Sequence, residues 1–199
     1  GMTYDAMDLK FSVAVADGTN GKLTLTVTKP EDTEFNNDYK ADGEYPMTGE
    51  GGLNPTKLLT GRTLKADEFE FNLTSTDDTR NAPQTVRNAL DGTITFANLK
   101  YDQTDIGKTY HYAIKETIGS ETGMTYDTMD LKFSVVVADG TNGKLTLAVT
   151  KPEDTVFNNT YEATGEFDPD DAAAGLNPTK ELTGRVLEGG AFTFQLKKG

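Results

Sequence analysis

The chain has 199 residues, and 32 acidic against 19 basic side chains give it a formal net charge of -13. This charge argues against nucleic acid and anionic membrane surfaces as partners, and no apolar run is long enough to insert into a membrane. The absence of cysteine excludes disulfides and thiolate metal sites, and the single histidine, His111, is too little for a metal centre or a catalytic triad. We therefore expect no metal and no cofactor.

A long internal repeat organises the sequence. Residues 1–10, Gly-Met-Thr-Tyr-Asp-Ala-Met-Asp-Leu-Lys, return almost unchanged at 123–132, and residues 53–62 return at 176–185. A period of about 120 residues is the size of a domain and is too long for a solenoid repeat. We predict three pieces: 1–41 is the C-terminal part of one repeat, 42–163 is a complete domain, and 164–199 is the N-terminal part of a following repeat. These residues would then be a piece of a longer array, with neighbouring repeats of the same chain as partners.

Short Thr-rich alternating segments, separated by Gly, Asn and Asp, predict an all-β fold. In chain order, strands are predicted at 55–60, 68–73, 93–99, 109–115, 132–138, 144–150 and 156–161, with a loop at 74–81. Residues 83–90 are predicted to form one or two helical turns, because Pro83 suits a helix start. Asn142-Gly143 suits a hairpin turn that needs positive φ. Seven strands in about 120 residues match the size of an immunoglobulin-like sandwich.

Three polar side chains fall in phase with the inward, apolar residues of their strands. Lys57 lies in the first strand, Glu116 at the end of a middle strand, and Asn159 between two aromatics in the last strand. Burial disfavours charge, so a buried lysine tends to lose its proton and a buried carboxyl tends to keep one. A neutral amine is a nucleophile, and a protonated carboxyl can donate to the carboxamide oxygen. These are the requirements for attack of Lys57 on Asn159 with release of ammonia, which leaves a Lys–Asn isopeptide bond.

Two simpler interpretations of the same residues compete with this one. Lys57 can extend its ammonium group to solvent from a buried stem, or it can form a plain buried ion pair with Glu116. Asn158 and Asn36 are competing acceptors by sequence, but strand alternation turns both of them outward.

Three motifs carry a resemblance to a known family. They are Pro-Thr-Lys57-x-Leu-Thr-Gly-Arg with Phe69-x-Phe71, then Gly107-Lys-Thr-Tyr-x-Tyr-x-Ile-x-Glu116, and finally Phe157-x-Asn159-x-Tyr161. In this order they resemble the immunoglobulin-like, CnaB-type domains of streptococcal-type major pilins and Gram-positive surface adhesins. The resemblance implies a CnaB-type β-sandwich with an internal isopeptide bond, in which Lys57 is the nucleophile, Glu116 the proton shuttle and Asn159 the acceptor.

The function that follows is structural. The chain is expected to be a stalk or shaft repeat of an extracellular, cell-wall-anchored pilin or adhesin, with one self-crosslinking turnover and no enzymatic activity. Signal peptide and anchor are expected outside these residues, and sortase-linked subunits are expected partners. The alternative is an adhesive module that binds host glycan or matrix protein through its loops, for which 74–91 is the best place.

The two terminal pieces contain counterparts of the reactive residues. Asn37 corresponds to Asn159, and Lys180 corresponds to Lys57. Neither piece contains a counterpart of Glu116, so we predict that Asn37 and Lys180 stay uncrosslinked.

Overall fold

The computed structural model describes residues 1–169 and 171–197. Within these ranges it contains a 3₁₀ turn, Gln103–Asp105, and fourteen strands. The strands are β1 (Met2–Thr3), β2 (Ser12–Asp17), β3 (Leu23–Thr28), β4 (Asp38–Tyr39), β5 (Asp42–Tyr45), β6 (Thr56–Thr60), β7 (Glu70–Ser75), β8 (Gln84–Arg87), β9 (Leu99–Asp102), β10 (Thr109–Glu116), β11 (Met124–Thr125), β12 (Leu131–Asp139), β13 (Leu145–Thr150) and β14 (Val156–Tyr161).

Two sheets enclose the core. One has five antiparallel strands in the order β13-β12-β10-β7-β8, and the other has three strands in the order β11-β14-β6. In the second sheet β14 and β6 run parallel, whereas β11 and β14 are antiparallel. A two-stranded ribbon of β5 and β9 adds Tyr45, Leu99 and Tyr101 to the same core. The all-β prediction is confirmed, and the packed sheets form an immunoglobulin-like sandwich.

Strand alternation supplies the apolar core. In β12 every second residue from Leu131 to Val137 is buried, and β10 alternates in the same way. Phe71, Ile114 and Phe157 are fully enclosed. Each such side chain contributes roughly 1.5–3 kcal/mol on burial. The core therefore fixes the rotation of each strand, and with it the direction of any polar residue in the same phase.

The predicted helical turns at 83–90 are wrong. The segment forms β8, which pairs antiparallel with β7 and turns Val86 against the core. Pairing with β7 supplies backbone hydrogen bonds that a short isolated helix lacks, so tertiary context overrides the local preference. The predicted strand at 93–99 is also largely absent: Thr93 and Ile94 form only isolated bridges, and the regular strand begins at Leu99.

A buried polar network lies beside the 3₁₀ turn. Tyr110 Oη donates to Asp105 at 2.6 Å, Arg80 donates to the other Asp105 oxygen at 2.6 Å, and Tyr112 Oη donates to Asp78. Burial alone would raise the pKa of Asp105. Hydrogen bonds from Tyr110, from the backbone N–H of Asp102 and from Arg80 lower it below its usual value. Burial, together with the hydrogen bond to Asp105, raises the pKa of Tyr110 to about 12.

By internal contacts the chain divides into one unit, Gly1–Glu162, and a second unit, Ala163–Gly199. The division lies next to the predicted end of the complete domain, whereas residues 1–41 group with the first unit. The three-piece organisation stays a prediction, and the piece 164–199 includes Asp170, Lys198 and Gly199, which lie outside the described residues. No helix within 1–169 and 171–197 is long and apolar enough to cross a membrane.

Candidate functional site

The parallel pair β6 and β14 positions two of the three predicted site residues. Lys57 of β6 stands opposite Phe157, and Asn159 of β14 stands opposite Leu59. All four side chains point into the sandwich, since each of these residues is buried and its strand neighbours are more exposed. Lys57 and Asn159 are thus diagonal neighbours on one face, about 7–8 Å apart at the backbone, which a lysine side chain spans easily.

Glu116 comes from the opposite sheet and brings the other two residues together. It is the last residue of β10, paired with Phe71 of β7. Lys57 Nζ contacts Glu116 Oε2 at 2.8 Å, and Asn159 Nδ2 donates to Glu116 Oε1 at 2.6 Å. The side chains of Lys57 and Glu116 are 0% exposed, and Asn159 as a whole is 1% exposed. One buried carboxyl group therefore holds an amine on one oxygen and a carboxamide on the other.

Aromatic rings enclose this cluster. Lys57 Nζ lies 4.7 Å from the centre of the Phe69 ring, and Tyr126 packs edge-on against Phe69 at 6.2 Å between ring centres. Phe71 and Phe157, the strand partners of Glu116 and Lys57, pack at 5.1 Å between ring centres. The cluster is therefore buried among apolar rings, and the low local polarity strengthens the electrostatic interactions within it.

Burial lowers the pKa of Lys57, and this effect outweighs the hydrogen bond and charge of Glu116 and the more distant charges of Asp127 and Glu68, which act in the opposite direction. The neutral amine is therefore favoured relative to an exposed lysine. A neutral amine is the form that attacks a carbonyl carbon.

The carboxamide of Asn159 has a fixed orientation. Its Oδ1 accepts a hydrogen bond from the backbone N–H of Asp127 at 2.7 Å. A backbone N–H can only donate, so the oxygen must face Asp127 and the nitrogen must face Glu116. The sequence-based expectation differs here, because it had Glu116 donating to the carboxamide oxygen. In the structure Glu116 contacts the nitrogen, which is the leaving group of the expected reaction.

The remaining predicted residues have different surroundings. Asn158 is exposed, as its alternation predicts. Asn37 is exposed too, and its Oδ1 accepts from the Asp5 backbone N–H at 3.0 Å. Lys180 is exposed, with Nζ 4.9 Å from the Phe192 ring centre. His111 is exposed and contacts Asp77 at 2.8 Å.

Two groups near the site were missed by the sequence reasoning. Asp127 was missed because it lies outside a regular strand, although its segment Met-Thr-Tyr-Asp-x-Met is repeated at 2–7. The contacts of Arg62 were missed because two of its three partners are distant in sequence: it contacts the nearby Glu68 at 2.6 Å, but also Glu121 at 2.8 Å, and it lies over the Tyr161 ring. Arg62 ties the loop after β6 to the end of β14, beside the cluster.

Comparison with protein families identifies a match that covers most of the chain. A family model described as FctA, Spy0128-like isopeptide containing domain, matches residues 1–40 and 53–162. The second matched segment contains Lys57, Glu116 and Asn159, and the first contains Asn37. No curated protein matches the chain.

Proposed function

Because this chain belongs to the FctA family of Spy0128-like isopeptide-containing domains, we propose that it is a shaft module in which an isopeptide bond joins Lys57 to Asn159 with the help of Glu116. The observation that carries this proposal is the double contact on one buried carboxyl group. Lys57 Nζ lies on one oxygen of Glu116 and Asn159 Nδ2 lies on the other. A plain ion pair would not need the carboxamide.

Family membership by itself establishes the broader role. The chain is a structural pilin domain and not an enzyme, its location is the cell surface, and pilin domains of this kind link to other pilin subunits. The predicted kinship with streptococcal-type pilin domains is thereby confirmed. The specific bond, the anchoring to a Gram-positive cell wall and the sortase-linked partners belong to our proposal.

The reaction begins from one proton shared by two buried groups. An ammonium with a carboxylate and an amine with a carboxylic acid contain the same number of protons, so the reactive form needs no proton from solvent. Loss of water around the pair favours the neutral form, since burial penalises both charges. The amine of Lys57 is then free to attack Cγ of Asn159.

The proton transfers follow from the contacts. As the Nζ–Cγ bond forms, the carbonyl electrons move to Oδ1, which already accepts the N–H of Asp127. Glu116 passes its single proton to Nδ2, which lies against Oε1, and the resulting carboxylate takes a proton from Nζ, which lies against Oε2. The Cγ–Nδ2 bond breaks, ammonia leaves, and Glu116 ends protonated beside a secondary amide. This step occurs once per domain, so it is maturation and not turnover.

The position of the bond supports a mechanical role. β6 is the first strand of the three-stranded sheet in the chain and β14 is the last, and they are parallel neighbours. In an array, tension passes the ribbon of β5 and β9, enters the three-stranded sheet at β6 and leaves it at β14. A covalent link between these two strands carries the load past the rest of the sandwich.

We further propose that residues 42–163 are one complete repeat and that 1–41 and 164–199 are parts of its neighbours. The repeated sequence supports this organisation, and so does the family match, which ends at residue 40 and resumes at residue 53. The local hydrogen bonding supports it as well, because Asn37 and Asn159 each accept a backbone N–H from an aspartate at the same place in the repeat.

The segment expected to carry an adhesive site uses its polar groups internally. Asn81 donates to Asp78 at 2.7 Å and to the Lys100 carbonyl at 3.0 Å, and Asp78 and Asn81 are both buried. This segment stabilises the sandwich edge, which favours the structural role over ligand binding by the 74–91 loop.

Intact mass spectrometry of the denatured 199-residue chain tests the proposal. We expect a mass lower than the sequence mass by one ammonia, and a fragment spectrum in which the Lys57 and Asn159 peptides are joined. Lys57→Ala and Asn159→Ala should each restore the full sequence mass. Loss of no ammonia, or of two, would refute the assignment.

The repeat provides matched controls for this measurement. Lys180→Ala and Asn37→Ala change the counterparts of the two reactive residues, and each variant should still lose one ammonia. A control variant that abolished the loss would place the bond elsewhere.

A further inference from the structure

Asp127 forms hydrogen bonds with the chain around Asn159 both as an acceptor, through its carboxylate, and as a donor, through its backbone N–H. Its carboxylate accepts the Asn158 N–H at 2.6 Å on one oxygen and the Met129 N–H at 2.8 Å on the other, while its own N–H donates to Asn159 Oδ1 at 2.7 Å. The side chain therefore attaches the segment after β11 to β14, at the residue before the acceptor. The backbone N–H that faces Oδ1 is held by this attachment.

Asp5 forms the same hydrogen bonds in residues 1–41, where the asparagine has no buried lysine and glutamate beside it. Asp5 accepts the N–H groups of Asn36 and Met7, each at 2.7 Å, and donates its own N–H to Asn37 Oδ1 at 3.0 Å. Asn37 is exposed, and Asp5 and Asn37 occupy the repeat positions of Asp127 and Asn159. The hydrogen-bond pattern therefore arises from the local segment and does not depend on a neighbouring lysine and glutamate.

From this we infer that Asp127 is a positioning residue for isopeptide formation, an inference that rests on the function proposed above. Its carboxylate holds the N–H that orients the Asn159 carboxamide, so that Oδ1 faces a donor and Nδ2 faces Glu116. The reaction needs both of these contacts. Negative charge develops on Oδ1 as Nζ attacks, and Nδ2 must receive a proton before it can leave. A carboxamide free to rotate would present the oxygen to Glu116 for part of the time.

The contribution is expected to be kinetic. Donors aimed at the developing negative charge of an acyl-transfer intermediate typically contribute about 10²–10³ in rate. Removal of the Asp127 carboxylate leaves the backbone N–H in the chain but releases its anchor. We therefore expect bond formation to slow by about tenfold to a hundredfold, in the range typical of a small misplacement of reacting groups.

Timed intact-mass measurements on freshly synthesised chain test this inference. The full chain is made by cell-free synthesis, quenched in denaturant at intervals, and scored for loss of one ammonia. Asp127→Ala should slow the loss by about tenfold to a hundredfold. Asp127→Asn retains one acceptor oxygen and should recover part of the rate. Asp5→Ala removes the same contacts from the other copy and should react at the wild-type rate.

A second measurement separates positioning from a general loss of structure. In the Lys57→Ala background no bond can form, and the side-chain amide resonances of Asn159 report its orientation directly. Asp127→Ala should shift these resonances while the resonances of core residues such as Ile114 stay in place. A folded Asp127→Ala variant with unchanged Asn159 resonances, or with wild-type reaction rate, would overturn the inference.

The outcomes distinguish this inference from the function on which it rests. A wild-type chain that never loses ammonia refutes the proposed bond, and the role of Asp127 fails with it. A wild-type chain that reacts at the same rate as a folded Asp127→Ala variant leaves the bond established and refutes the positioning role alone.

Discussion

Replacement of Lys57 by Met together with Glu116 by Gln should remove the crosslink without leaving a charge in the core. The bond closes a loop of roughly 100 residues, and by the chain-entropy estimate such a closure contributes about 5 kcal/mol to the free energy of unfolding. The two substitutions nearly preserve side-chain volume, and the amide oxygen introduced by Glu116→Gln can still accept from Asn159. The loss of the closure is therefore the main difference from wild type.

Lys57→Met alone should be less stable than the double variant. It leaves the Glu116 carboxyl, whose side chain is 0% exposed, without its amine partner. At neutral pH this buried carboxyl is either charged without a partner or has to take up a proton, and each of these costs about 3 kcal/mol or more. The single substitution thus loses the closure and also leaves a titratable group without its partner in the core, whereas the double variant leaves a neutral amide there.

Urea unfolding followed by tyrosine fluorescence measures both effects. With a slope of about 2 kcal/mol per molar urea, the midpoint should fall by about 2.5 M in the double variant and further in the single variant. Lys180→Met, at the corresponding position of the other copy, should leave the midpoint unchanged. The reasoning is refuted if the double variant unfolds at the wild-type midpoint although wild type has lost ammonia.

Three further predictions concern the reaction, a tight turn and acid stability. Glu116→Gln should fold but keep the full sequence mass, because an amide cannot relay the proton; loss of ammonia at the normal rate would contradict the proposed role. Gly61→Ala should destabilise more than Gly184→Ala in thermal unfolding, since both glycines have positive φ but only at Gly61 would a Cβ collide with a backbone oxygen, that of Tyr161; equal effects would exclude the steric argument. Asp105 has a folded-state pKa below its usual 3.8, so its contribution is present above that value and is lost as pH falls through the folded pKa. In Asp105→Asn the urea midpoint should therefore decrease less as the pH is lowered. An equal decrease in the variant and in wild type would argue against this contribution of Asp105.

The alternation of apolar and polar residues predicted most strands of the sandwich, because every second residue of its long strands is buried. The hairpin of β12 and β13 is an example: Asn142 and Gly143 have φ of 57° and 76°, as the predicted turn requires. The segment at 83–90 failed because Pro83 and polar neighbours favour a helix start locally, whereas pairing with β7 decides its structure.

The convergence of Lys57, Glu116 and Asn159 could be anticipated from strand phase, since each residue shares the phase of buried neighbours. Their detailed contacts could not. The direction of the Asn159 carboxamide depends on a backbone N–H from Asp127, which lies in a short irregular segment without periodicity. Only the duplication of that segment, at Asp5, marked it in the sequence.

The parallel pairing of β6 with β14 has a consequence for how a fibre built from such domains lengthens. Without a crosslink, unfolding under load would release roughly 100 residues between Lys57 and Asn159, about 340 Å of extended chain. With the two strands joined, the chain between them cannot extend, so the domain lengthens very little at any force that leaves the covalent bond intact. A shaft of such domains dissipates little energy through unfolding. Any lengthening under load must then come from the segments that join the domains.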